Sequence, residues 1–156
     1  MKHLLLIIPL SLSLSHCAIF FPKKTVDAPL LNFYKTSPPP HTKVSLALTE
    51  EARNLMSEDQ NALAIEKLNK ALALDPYNPF AYYFLGRLHY KNLRYEKSLE
   101  FCAKARQLAQ EFPFWKAQSY LLTGLNWKAM GQTKKAEFHF KKAQSIFPEI
   151  DLSEAD

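Results

Sequence analysis

The sequence predicts an all-α chain built from three stacked helical hairpins, and three observations lead there. An alanine stands five residues before a proline twice, at Ala71…Pro76 and Ala143…Pro148. Apolar residues recur at helical spacing, as in Ala64, Leu68, Ala71 and Leu72, which gathers them on one helix face. The chain has only 3 glycines, too few for the turns of a many-stranded β protein. No glycine belongs to a phosphate-cradling motif either.

The hairpin units begin at Ser45, Pro79 and Ala117 and run over 45–78, 79–112 and 117–150, inside a domain spanning 45–156. Residues 45–147 are expected to form six helices. Small residues at the eighth and twentieth positions, Gly86 and Ser98 in the second unit and Gly124 and Ala136 in the third, let two antiparallel helices approach closely. Larger residues at the fourth, seventh, eleventh and twenty-fourth positions fill the remaining space. Pro113-Phe114-Trp115-Lys116 reads as a lengthened turn before the third unit. One hairpin cannot bury its apolar face alone, so the units must stack, and three are about the minimum.

These units resemble the tetratricopeptide repeat, a helix–turn–helix of 34 residues with the pattern W-x₂-L-G-x₂-Y…A-x₃-F…P. The second unit matches with Tyr82, Leu85, Gly86, His89, Tyr95, Ser98, Cys102 and Ala105. The third matches with Tyr120, Gly124, Trp127, Gly131, Ala136, Phe140, Ala143 and Pro148. The first is clear in its second helix (Ala64, Leu68, Ala71, Leu74, Pro76) and departs in its first, where Glu51 and Ala52 replace Leu and Gly.

The resemblance implies a short right-handed α-solenoid whose first helices line a concave groove that binds a protein or peptide. The positions implied to contact a partner are Arg53, Met56, Phe80, Tyr83, Arg87, Tyr90, Lys91, Leu121, Leu125 and Lys128. Leu46, Thr49, Ser57, Gln118 and Ala129 complete the equivalent positions. Read this way, the groove is apolar and aromatic, with four cations and no carboxylate. It suits a peptide with apolar anchors and acidic character. Chaperone-binding relatives use Lys and Asn where this chain has Thr49 and Arg53, so that activity is not implied.

The first residues read as an export signal (residues 1–16). Met1-Lys2-His3 is a short positive start, and Leu4 to Leu14 is an apolar stretch of secretory length. Leu14-Ser15-His16-Cys17 resembles a bacterial lipobox, in which the chain is cut before a cysteine that then carries a lipid. His16 departs from that pattern, which has Gly, Ala or Ser before the cysteine. The alternatives are cleavage after Ser15 or Ala18, an uncleaved membrane anchor, and a buried core helix. Residues 17–44 read as the lipid-attachment cysteine, Cys17, followed by a disordered proline-rich tether containing Pro22, Pro29, Pro38, Pro39 and Pro40. From Ala18 to Val44 such a tether reaches ~30 Å if flexible and at most ~80 Å if extended. Leu30, Leu31, Phe33 and Tyr34 form an apolar island in it, which either docks on the first unit or binds something else.

The net charge of +5 is unevenly placed: +4 falls in residues 1–44 and +1 in the rest. A nucleic-acid binder concentrates its basic excess on the folded domain, so that class is excluded. The histidines are scattered, and His89 occupies an aromatic position of the repeat. Cys102 takes a large buried position. No catalytic triad order, metal-ligand spacing or paired carboxylate stands out, so neither an enzyme, a metal nor a cofactor is expected. The leading expectation is a membrane-tethered interaction scaffold of a bacterial cell envelope, serving assembly or secretion. The alternative is a cytosolic chaperone of the type III secretion class, which the export signal contradicts.

The outer face of the last helix is polar at Glu137 and Gln144, so the array is expected to stop at the third unit. Phe138 is the exception on that face. Either Ile150 and Leu152 fold back over it, or it serves a partner or self-association.

Overall fold

The computed structural model describes residues 27–153. The expected signal, lipobox and Cys17 lie outside the described residues. A short 3₁₀ turn (Leu30–Phe33) precedes six helices: α1 (Pro40–Ser57), α2 (Asn61–Leu74), α3 (Pro79–Lys91), α4 (Tyr95–Leu108), α5 (Pro113–Ala129) and α6 (Thr133–Ile146). Among the described residues there is no strand, and no helix is long and apolar enough to cross a membrane. The all-α expectation stands. Consecutive helices pair as α1/α2, α3/α4 and α5/α6, and α3 packs on both α1 and α5.

Prolines set where the first helix of each hairpin begins. Pro40, Pro79 and Pro113 each stand in the first turn of a helix. There the missing N–H costs nothing and the fixed φ is already helical. This corrects two sequence expectations. Residues 40–44 are the first turns of α1, not tether, and Pro113 to Lys116 open α5 and do not lengthen a turn. Proline breaks a helix in its interior but starts one in its first turn, and Pro40 and Pro113 act as starters.

Each hairpin closes with the same turn. In the first, the amide of Gln60 donates to Leu55 O and that of Asp59 to Met56 O. Arg94 and Leu93 donate likewise to His89 O and Tyr90 O, and Gln132 and Gly131 to Trp127 O and Lys128 O. This is the Schellman motif, which needs a left-handed residue just past the helix. Asp59 (φ 59°), Leu93 (φ 58°) and Gly131 (φ 73°) occupy that position. Only the third hairpin uses the residue that adopts it without strain.

Between paired helices the side chains are small. Ala52 and Ala64 are fully buried at the α1/α2 crossing. At the next crossing Ser98 Oγ donates to the backbone oxygen of Gly86 at 2.8 Å. At the third, a methyl added to Gly124 would run into the ring of Phe140. Two buried asparagines then tie successive hairpins together. Asn78 caps α3 through its Oδ1, accepting from the amides of Phe80 (3.0 Å) and Ala81 (3.1 Å). Its Nδ2 donates to Ser45 Oγ (2.8 Å) and Thr49 Oγ1 (3.0 Å), and the Ser45 hydroxyl in turn donates to Ala71 O (2.8 Å). Asn126 of α5 donates to Ser98 Oγ at 2.9 Å, joining α5 to α4 and α3.

The apolar island is part of the domain. Leu30 is fully buried, and its amide donates to Glu50 Oε1 at 2.6 Å. Arg53 Nη1 donates to Ala28 O at 3.0 Å. Phe33 stacks on Phe114 (5.7 Å) and meets the edge of Trp115 (5.4 Å). Tyr34 lies against Phe112 (5.1 Å) and Phe80 (6.2 Å), and burial, with a smaller effect of the Asp75 charge, pushes its phenol up to about 12. The island therefore spans residues of all three hairpins, beyond the first unit alone. At the other end, Ile150 is buried in the main core and Phe147 packs on Phe114 at 5.4 Å. The tail folds back onto the core and leaves Phe138 56% exposed, so the expected cover over Phe138 is not formed.

Two stability predictions follow from these backbones. Leu93→Gly should raise the unfolding free energy by about 1 kcal/mol, seen as a higher urea midpoint with an unchanged slope, because it relieves a left-handed leucine that is 71% exposed. Gly124→Ala should cost about 1–3 kcal/mol. Gly86→Ala should cost less, since its added methyl meets Cys102 Sγ at 3.2 Å. Equal midpoints for the two alanine variants would refute the close α5/α6 crossing.

Candidate functional site

The first helices of the hairpins, α1, α3 and α5, share a concave face with a groove of about 850 Å³. Its floor is apolar: Tyr83, Phe84, Leu121, Leu122 and Leu125 are all buried. Tyr83 donates its hydroxyl proton to Gln118 Oε1 at 3.3 Å, bridging α3 and α5. Met56, Asn54 and Ser57 form the α1 wall, and Tyr90 stands partly buried beside Arg87 and Lys91 on α3.

Eight of the ten residues expected to contact a partner line this groove: Arg53, Met56, Tyr83, Arg87, Tyr90, Lys91, Leu121 and Leu125. Two do not. Phe80 is fully buried beneath Tyr34, Phe112 and Trp115, because the N-terminal segment covers the start of α3. Lys128 is exposed near the end of α5, outside the groove lining. Leu46 and Thr49 are buried too, Thr49 within the Asn78 network.

The expected absence of carboxylates is also corrected. Asp27, Glu149 and Asp151 line the groove. They arrive from the segment before α1 and the tail after α6, which counting positions along the repeats cannot place. The cations are unequal as well. Arg53 is engaged by Glu50 and by Ala28 O. Lys91 is paired with Asp59 across exposed surface. Arg87, half-buried, forms no salt bridge among the described residues.

Phe84, Leu122 and Phe114 also line the groove, and the sequence carries a signal for Phe84 and for Phe114. Phe84 precedes Arg87 by three residues, so both share a helix face. Phe114 precedes Gln118 by four and Leu121 by seven, a spacing that becomes meaningful once α5 starts at Pro113.

The chemically active side chains lie elsewhere and are set in packing roles. His89 stacks on Phe101 at 5.1 Å. Burial lowers its pKa first, with the charges of Arg94 and Lys97 adding to the effect. His139 faces Tyr120 at 5.9 Å and is lowered in the same way, by burial and then by Arg106. Cys102 is fully buried, and burial pushes its thiol up to about 11, so the reactive thiolate is disfavoured at neutral pH.

Comparison with known proteins agrees with this architecture. Two sequence families match, one described as tetratricopeptide repeat over residues 78–149 and one as TPR repeat over 52–92, together spanning more than half of the chain. The chain is 30% identical over 132 residues to anaphase-promoting complex subunit 3 of Schizosaccharomyces pombe. That match covers 84% of this chain but 19% of the relative, so the chain spans about a fifth of the relative's length. The N-terminal domain of stress-induced protein-1 (STI-1) from C. elegans superimposes with a TM-score of 0.66 at 18% identity, over 76% of this chain and 95% of that one. MamA gives 0.59 at 25% identity, over 69% and 61%. With hairpins, stacking and sequence patterns in agreement, the chain belongs to the tetratricopeptide repeat family.

Proposed function

We propose that the chain is a membrane-tethered scaffold whose concave groove holds a peptide segment of a partner protein. Repeat domains of this family support protein–protein interaction, and the finer reading rests on the groove lining. The single observation behind it is the pairing of a buried apolar floor with Arg87, a half-buried cation outside any salt bridge among the described residues. Such a cation is poised to meet a carboxylate, while Tyr83, Leu121 and Leu125 receive apolar anchors. The carboxylates of Glu149 and Asp151 restrict where acidity is welcome. The partner segment therefore places its acidic residue against Arg87 and neutral or basic residues against the tail.

The tether belongs to the same proposal. A lipid on Cys17, or an uncleaved anchor in its place, holds the domain at a membrane of a bacterial envelope. With Asp27 onward carried on the domain, the spacer is reduced to the nine residues from Ala18 to Val26. Even fully extended these span about 30 Å, so the repeat domain works close to the bilayer. Radiolabelled palmitate should enter the chain in a bacterial host and fail to enter Cys17→Ser.

For the groove, peptides selected on the wild-type chain from a random library should share apolar anchors and one acidic residue. Arg87→Glu should weaken them about tenfold or more and flatten their salt dependence. Peptides that bind both forms equally would move the site away from Arg87.

A further inference from the structure

The outer face of α6 is unlike the rest of the domain surface. Lys134, Phe138, Lys141, Lys142 and Ser145 follow one another at spacings of four, three, one and three residues, which lines them up in a single stripe along the helix. All five are exposed, and the Phe138 ring stands 56% open to solvent. Phe138, Lys141, Lys142 and Ser145 border a shallow, open depression of about 230 Å³. None of the three lysines is in a salt bridge among the described residues. The only acidic residue of α6 is Glu137. The next acids in the chain, Glu149 and Asp151, turn to the groove. Charge is thus unevenly placed around α6, with Glu149 and Asp151 at the groove and, on the outer face, three ammonium groups against the single carboxylate of Glu137.

We infer that this face docks on an anionic lipid surface, with Phe138 entering the headgroup boundary and Lys134, Lys141 and Lys142 meeting lipid phosphates. Three features favour this occupant. The cations are all lysines, compact point charges suited to a mobile layer of anions, where fixed bidentate recognition would favour arginine. An apolar ring among cations on a helix that cannot span a bilayer is the arrangement of a segment lying in the interface. Symmetric self-association through Phe138 would set each lysine cluster against its own copy, and like charges oppose that contact. The contact is additional to the groove and does not depend on what the groove binds.

The test uses the full chain carrying Phe138→Trp, with the wild type supplying the background of Trp115 and Trp127. On phosphatidylcholine vesicles containing phosphatidylglycerol, the indole introduced at position 138 should shift its emission to the blue and be quenched by brominated acyl chains. Adding Lys134→Gln, Lys141→Gln and Lys142→Gln should abolish both effects, while circular dichroism stays unchanged because all three side chains are exposed. The readout is local to α6, so it holds however the N-terminus itself meets the vesicle. No shift on anionic vesicles would overturn the inference. So would an equal shift on pure phosphatidylcholine or in the lysine variant, and so would a shift that follows protein concentration without lipid, which would assign the face to a second copy.

Discussion

Paired helices in this protein lie so close together that only small side chains fit between them, and the rest of the architecture depends on that closeness. Ala52 and Ala64, then Gly86 and Ser98, then Gly124 and Ala136 set the three crossings. Dense packing leaves little room to relax around an added methyl. A close crossing also exposes backbone oxygens to neighbouring side chains. Ser98 uses this directly by donating to Gly86 O, and Ser45 donates to Ala71 O. Each serine is then an acceptor for an asparagine from the following hairpin, Asn126 and Asn78 respectively. Buried polar groups without partners are costly. These hydroxyls therefore specify where the next hairpin must sit, beyond the apolar drive to stack.

The groove follows from that stacking, but its character comes from the two ends of the chain. The segment before α1 lays Leu30, Phe33 and Tyr34 on the aromatic cluster around Phe80 and Trp115, removing Phe80 from any partner. The tail seals Phe114 with Phe147 and brings Glu149 and Asp151 to the lining. A face that repeat positions describe as uniformly cationic becomes one of mixed charge. Selectivity then depends on where a partner's charges fall along the groove, more than on their sum.

Among the described residues α6 is the last helix, and its two faces differ. Its inner face buries Ala136 and Ala143 against the third crossing. Its outer face keeps Lys134, Lys141, Lys142 and the ring of Phe138 beside Glu137, while Lys135 reaches back to α5, 4.2 Å over the ring of Trp127. In a stacked array the last outer face is normally polar for solubility. An exposed phenylalanine beside Lys134, Lys141 and Lys142, none of them in a salt bridge among the described residues, is more than solubility demands.

The sequence by itself determined the helical hairpins and most of the groove. Both depend on local periodicity: small residues recurring at crossings, and side chains repeating along the first helices. The starts of α1 and α5 were also local, written in Pro40 and Pro113, but proline breaks helices as readily as it begins them, and only packing on the aromatic cluster decides which. Tertiary structure alone decided the rest. The carboxylates of Asp27, Glu149 and Asp151 reach the groove through segments without periodicity. The Asn78 and Asn126 bonds join residues 33 and 28 positions apart. Phe80 is buried by a segment that, on composition, reads as a tether. Each of these is a long-range contact whose energy comes from closing the chain on itself, so no window of neighbouring residues contains it.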